Sequence, residues 1–295
     1  MIILLVLNAN AQNDTTLNAT KNYSLRKKLV YIGGATLYTG TMVGLYSLWY
    51  KDYPMNGFHF INDNREWLQM DKLGHATTSY HVGRLGYEAL KWSGASEKTA
   101  LWIGGFSGSI FLTTIETLDG FSAEWGASPG DLIANTSGSI LFIGQQLLWN
   151  EQRIMLKTSF HTTSFAQYRP DLLGNNLPQR LIKDYNGQTY WLSCNIASFL
   201  PKESLFPKWL NIAFGYGAEG MTASRLNSTI YEGNTIPSFN RYRQYYLSLD
   251  IETSRIKTKN RFLKFVLKGI SFIKIPFPTL EINSKNQIKG HWLYF

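Results

Sequence analysis

One cysteine, Cys194, stands in a chain of 295 residues. A lone thiol excludes an intramolecular disulfide and any thiolate metal cluster built from one chain, and leaves the redox compartment open. Charge is scarce as well: Asp, Glu, Lys and Arg make up 17%, against about 25% in soluble domains. Hydrophobic residues reach 44% and aromatics 15%, which excludes disorder. A mean hydropathy of −0.18 excludes a polytopic transporter, so any membrane portion is local. No repeat of 20–50 residues is present, against a solenoid or propeller. His-x-x-Glu-His, His-Glu-x-x-His, a glycine-rich phosphate loop and a Gly-x-Ser-x-Gly elbow are all missing. So is any nucleic-acid module, and nucleic acid is not expected as a partner.

What is present is unevenly spread. The residues up to Ser159 hold 12 basic and 12 acidic side chains, leaving 17 and 8 after it, so the net charge of +9 belongs entirely to the second half. A basic half beside an apolar half suits anionic lipid. Met1 to Leu7 is apolar and leads to Ala9-Asn10-Ala11, the pattern of a signal peptide (1–11) cleaved before Gln12; a chance apolar start is the alternative. Residues 29–50 carry no charge and have the length of a membrane span. Trp49, Tyr50 and Tyr53 at one end favour lipid, and Gly40-x-x-x-Gly44 would admit a close helix neighbour; a buried helix in a soluble bundle is the competing reading.

Three more helices are expected, from Glu66 to Trp92, Lys98 to Leu118, and Pro129 to about Lys157. Ser96 and Ser128 are the N-caps, and Ser128-Pro129-Gly130-Asp131 is a strong start signal. Gly104-x-x-x-Gly108 offers a close-packing face. Texture changes near Ser159. Beyond it Thr189 to Leu200, Trp209 to Tyr216, Tyr242 to Ser254, Ile270 to Ile275 and Ile288 to Phe295 read as strands. The aromatic carboxy-terminal residue suits an outer-membrane barrel, but about five strands fall short of the eight such barrels need. Asn260 to Lys268 spaces Arg261, Lys264 and Lys268 against Phe262, Phe265 and Val266, as a short basic amphipathic helix on a membrane surface would, or a solvated face. The expected fold class is α+β: a membrane-associated antiparallel bundle of about four helices over 24–159, then a smaller, basic, strand-rich region over 160–295.

The informative residues are polar ones within the apolar half. Asp71 and His75, Glu116 and Asp119, and Asp131 and Asn135 are pairs at helical spacing, each sharing a helix face. If the faces meet, they build a polar cluster of Asp71, Lys72, His75, Glu116, Asp119, Ser128, Asp131 and Asn135. His75, Glu116, Asp119 and Asp131 are its candidate metal ligands. Each has a structural alternative: Asp131 as part of a capping box, Asp119-Gly120 as a turn, His75 as a core histidine, Lys72 as a local partner of Asp71. Glu116 ends a long uncharged run and needs a specific partner.

Asp71-Lys72-x-x-His75, then Glu116-x-x-Asp119-Gly120-Phe121, then Ser128-x-x-Asp131-x-x-x-Asn135-x-x-Gly138 resembles the DUF2279 family of predicted bacterial envelope proteins and, more distantly, VanZ-type membrane proteins. Arg169-Pro170-Asp171-Leu172-Leu173-Gly174 and the run from Lys183 to Trp191 are similar to long members of that family. The resemblance implies an exported cell-envelope protein and a residue list rather than a reaction. The VanZ-type likeness implies a membrane bundle with its polar motif near one surface. Two functions remain open. One is a helical anchor and binding module whose partner is membrane lipid or another envelope component. The other is a metal-assisted hydrolase or transferase acting on a lipid-linked phosphate, with a divalent metal as cofactor and Asp71 orienting the imidazole.

Overall fold

Ser96 and Ser128 do cap helices: each side-chain oxygen accepts the backbone N–H three residues on, from Thr99 and Asp131, both at 3.1 Å. The computed structural model describes residues 16–294, with side-chain environments from residue 22 onward, so the expected signal peptide (1–11) and Phe295 lie outside the described residues. Helix α1 spans Thr16–Leu45 and tightens into a π turn, Tyr46–Tyr50; α2 spans Met70–Trp92. The short α3, Glu97–Thr99, runs through a second π turn, Ala100–Gly104, into α4, Gly105–Gly120, and α5 is Pro129–Trp149. In the strand-rich half come α6 (Pro170–Leu173), α7 (Leu177–Lys183) and α8 (Arg261–Gly269). With α3 and α4 as one continuous rod, the described residues hold seven helices, not about four. The class is α+β, helices first and an antiparallel sheet after.

Several expectations are corrected. Among the described residues no helix is long and apolar enough to cross a membrane. In α1 the reason is composition: Lys21, Arg26, Lys27 and Lys28 fall inside the helix, and its later turns are diluted by glycine and threonine. The helix expected to reach Lys157 stops at Trp149, and the next residue, Asn150, takes a left-handed φ of 57°, a conformation that ends helices. Residues 270–275 form a loop touching β1 at one bridge, Thr158 to Ile273.

Two compact units emerge. The first comprises the described residues up to Ile61 and Thr78–Gly144; the second comprises Asn62–Thr77 and residues from Gln145 on. In the first, α2 and the α3–α4 rod approach almost backbone to backbone. A Cβ added to Gly83 would lie 2.3 Å from the Gly105 carbonyl oxygen, and one on Gly108 would lie 2.2 Å from that of Ser79. Gly104-x-x-x-Gly108 is thus the expected close-packing face, whereas added Cβ atoms on Gly40 and Gly44 meet nothing within 4 Å.

The second unit is built on a six-stranded antiparallel sheet in the order β1-β2-β3-β6-β7-β8. Its strands are β1 (Ile154–Phe160), β2 (Gln188–Asn195), β3 (Leu210–Glu219), β6 (Tyr242–Ile251), β7 (Phe277–Asn283) and β8 (Ile288–Tyr294); β4 (Ile230–Tyr231) and β5 (Asn234–Thr235) form a separate small hairpin. The sheet curls until Tyr294 of β8 meets the Trp191 ring of β2 edge-on and comes within 3.2 Å of the Thr189 hydroxyl. Gly215 makes room inside the curl, since a Cβ there would sit 2.7 Å from the Trp191 ring.

The interior of that curl sets buried charges beside a small apolar cluster of Trp191, Ala213 and Tyr246. Lys157 is fully buried, with its ammonium 2.7 Å from Asp250 and 3.1 Å from Glu252. Lys274 donates to Ser248 at 2.8 Å and lies over the Trp191 ring. Burial, with Lys157 adding to it and Asp250 opposing, lowers the Lys274 pKa to about 8. A base whose folded pKa lies below its unfolded value binds fewer protons folded than unfolded between the two, so stability rises with pH across that window. Denaturation curves of the wild type are expected to gain stability from about pH 8 towards pH 10. Above that the buried tyrosines Tyr246 and Tyr294, whose pKa values burial raises, reverse the trend. Lys274→Met flattens the rise, and an unchanged slope in that variant would assign it elsewhere.

Candidate functional site

Construction of the site begins in the second unit with a strained turn. Trp67, Leu68 and Gln69, just before α2, all have positive φ (45°, 50° and 67°). Bulky residues adopt that region only under constraint. The constraint is tertiary: Trp67 N–H donates to Ser224 C=O at 2.7 Å, the Tyr216 hydroxyl to Leu68 C=O at 2.5 Å, and Arg243 to Gln69 Oε1 at 2.9 Å. Met70, fully buried with Ala218 and Met221, anchors the helix start.

The first two turns of α2 then present the polar motif. The Asp71 carboxylate lies 3.8 Å from His75 Nε2. It accepts the Tyr185 hydroxyl at 2.5 Å. Lys72 sits 2.5 Å from Asp63 and 3.6 Å from Asp71, so both expected neighbours of Asp71 are beside it. Gly74 is small because of Tyr190, whose hydroxyl would be 2.9 Å from an added Cβ. Burial, then the nearby Asp71 charge, raises the Tyr190 pKa, so its hydroxyl keeps its proton and donates to Gln188 at 2.6 Å. Tyr185 and Tyr190 belong to the run from Lys183 to Trp191, which gives that motif a physical role. Asp184 and Asn186 fold it: Asn186 donates to Asp184 at 2.9 Å and to Met221 C=O at 2.9 Å.

In the first unit the acids secure a loop and a helix start. Glu116, buried, accepts the Ser128 backbone N–H through Oε2 at 2.9 Å. This is the donor that a capping box offers to the residue three positions after the cap, so a carboxylate from α4 secures the cap of α5. Asp119 accepts the Tyr50 hydroxyl at 2.5 Å. Burial, followed by the Asp119 charge, raises the Tyr50 pKa and keeps it a donor. The loop between them is laced to residues 54–61 by backbone bonds, Asn56 N–H to Phe121 C=O at 2.7 Å and Ala127 N–H to His59 C=O at 3.0 Å among them. Asp131 and Asn135 are both buried one turn apart on α5. The Ser79 and Ser109 hydroxyls reach the Asn135 carbonyl at 2.6 and 2.7 Å, and Ser139 joins both at 3.0 Å. Helices α2, α4 and α5 therefore do meet through polar side chains in this unit. Tyr50, Tyr185 and Tyr190 were not among the expected site residues, because each comes from a segment distant in sequence, and neither was Asp63, which stands nine residues before its partner Lys72.

Residues 59–143 match the family model DUF2279, described as a predicted periplasmic lipoprotein. That description supports an exported, envelope-associated protein. Neither the curated proteins nor the solved structures gave a match.

Proposed function

We propose that the chain is a cell-envelope binding module whose helical motif holds a divalent cation. Asp71 and His75, one turn apart on α2, offer it a carboxylate oxygen and an imidazole nitrogen. Their approach to 3.8 Å carries the proposal.

A carboxylate and an imidazole suit Mg²⁺, Mn²⁺ or Zn²⁺. Glu116 and Asp119 already accept from Ser128 and Tyr50 within their own unit. Tyr185 and Lys72 orient the Asp71 carboxylate. The strained turn before Asp71 supports a functional role, since such strain of ~1–3 kcal/mol per residue gathers where geometry matters.

Two protein ligands leave coordination positions for an outside oxygen, which favours a second reading, a metal-assisted hydrolase or transferase acting on a lipid-linked phosphate. Such an ion would polarise a phosphoryl oxygen.

Chelator-treated protein is expected to gain thermal stability with Mn²⁺ or Zn²⁺, approaching ~2.7 kcal/mol at a hundredfold excess over Kd. His75→Ala loses the gain, and His291→Ala keeps it. Equal gains in His75→Ala and wild type would overturn the site. Phosphate release from a lipid pyrophosphate that needs the metal would select the catalytic reading.

A further inference from the structure

The curled sheet of the second unit buries many polar side chains and turns a row of apolar ones outward. Lys157, Ser193, Ser248, Asp250, Thr279 and Glu281 are buried inside it. Most outward positions are apolar, and the strand register lines them up. Leu156 pairs with Leu192, Leu192 with Phe214, Phe214 with Leu247, and Leu247 with Leu280, one unbroken row over five strands. Ile154, Cys194, Ile212 and Leu249 form a second row beside it. Phe214 is 51% exposed, Leu247 42%, Leu280 44% and Trp292 of β8 90%. Soluble antiparallel sheets place the apolar face inward, whereas apolar-out, polar-in alternation is what hydrocarbon selects.

The same unit carries a device for anionic head groups. Helix α8 has exposed Phe262 and Leu263 next to exposed Arg261, Lys264 and Lys268, and Lys257 and Lys259, also exposed, precede it. No acidic residue interrupts residues 256–280. A short basic amphipathic helix of this kind lies in the interface plane, its cations among lipid phosphates.

We propose that the outer face of this sheet is a lipid-contact surface, seated in the acyl region of an anionic phospholipid bilayer with α8 at the head groups. The proposal stands independently of the cation site. The outward row supplies the apolar contact, and the excess positive charge of this half supplies attraction and orientation. The outward row is short, so the face embeds without requiring the strands to span.

Full-length protein floated with phosphatidylethanolamine–phosphatidylglycerol vesicles provides the test. Wild type is expected to float with the vesicles and to stay bound in high salt. Leu192→Ser combined with Phe214→Ser and Leu247→Ser should weaken binding by about tenfold or more. Lys264→Glu with Lys268→Glu should slow or weaken capture by anionic vesicles while leaving the salt-resistant component. Should the triple variant misfold by near-ultraviolet dichroism, bromine-labelled acyl chains decide: they quench wild-type fluorescence more than that of Trp292→Phe. Binding fully reversed by salt, a triple variant that binds like wild type, or a dimer formed through this face with no vesicle binding would each overturn the proposal.

Discussion

Lys157→Met is expected to destabilise the second unit by about 3–5 kcal/mol, the range for removing one partner from a buried ion cluster. The ammonium has no exposure to solvent and serves three acceptors at once: Asp250, Glu252 and the Ile251 carbonyl. Methionine fits the space but leaves two buried carboxylates facing each other. Asp250 keeps Ser193, which donates at 2.6 Å, and Glu252 keeps the Ser254 N–H and hydroxyl, so both remain held in place without their shared cation. Combining Lys157→Met with Asp250→Asn should recover part of the loss, because the two changes share one network. Urea denaturation followed through Trp191, which packs inside the same curl, reads the effect; a loss below ~1 kcal/mol would mean that water reaches the cluster.

The second large effect lies in the helical unit. Gly108→Val is expected to cost at least the ~3 kcal/mol at the upper end of overpacking, because its Cβ would meet the Ser79 carbonyl oxygen at 2.2 Å and the Ser79 Cα at 2.7 Å. Those are backbone atoms of a neighbouring helix and cannot turn aside like a side chain. Pushing α2 away also lengthens the Ser79 bond to Asn135. Gly144→Ala is the contrast: nothing lies within 4 Å of its added Cβ, and alanine gains up to ~1 kcal/mol of helix propensity. Melting curves of the two variants should therefore move in opposite directions. A similar small loss in both would deny the close helix approach.

The helices were legible where local chemistry marks them. Ser96, and Ser128 followed by Pro129, announce their caps, and Gly104 with Gly108 announces the tight face. Helix crossing of a membrane was misjudged over residues 29–50 because the window began at Leu29 and left out the cations that α1 includes. Strand β1 was absorbed into the preceding helix, since Ile-Met-Leu-Lys-Thr-Ser-Phe shows no inward apolar alternation; its inward positions are Met155, Lys157 and Ser159. Strand β7 was hidden by Pro278, a residue that argues against an interior strand. The sheet accommodates it at a register shift between Phe277 and Thr279. The strained turn at Trp67–Gln69 has no sequence signature, because Tyr216, Ser224 and Arg243 impose it from far along the chain. Pairing of the polar motif was legible as helix spacing, while the hydroxyls that serve it, Tyr50 on Asp119 and Tyr185 on Asp71, depend on tertiary folding alone.

Electron spin-echo spectroscopy of Mn²⁺ bound to the full-length protein tests the cation site most directly, because it detects a coordinating imidazole nitrogen. One bound Mn²⁺ with a single histidine nitrogen coupling, absent from His75→Ala and unchanged in His291→Ala, is the predicted result. Mn²⁺ bound without nitrogen coupling, or with the same coupling in His75→Ala, would contradict it.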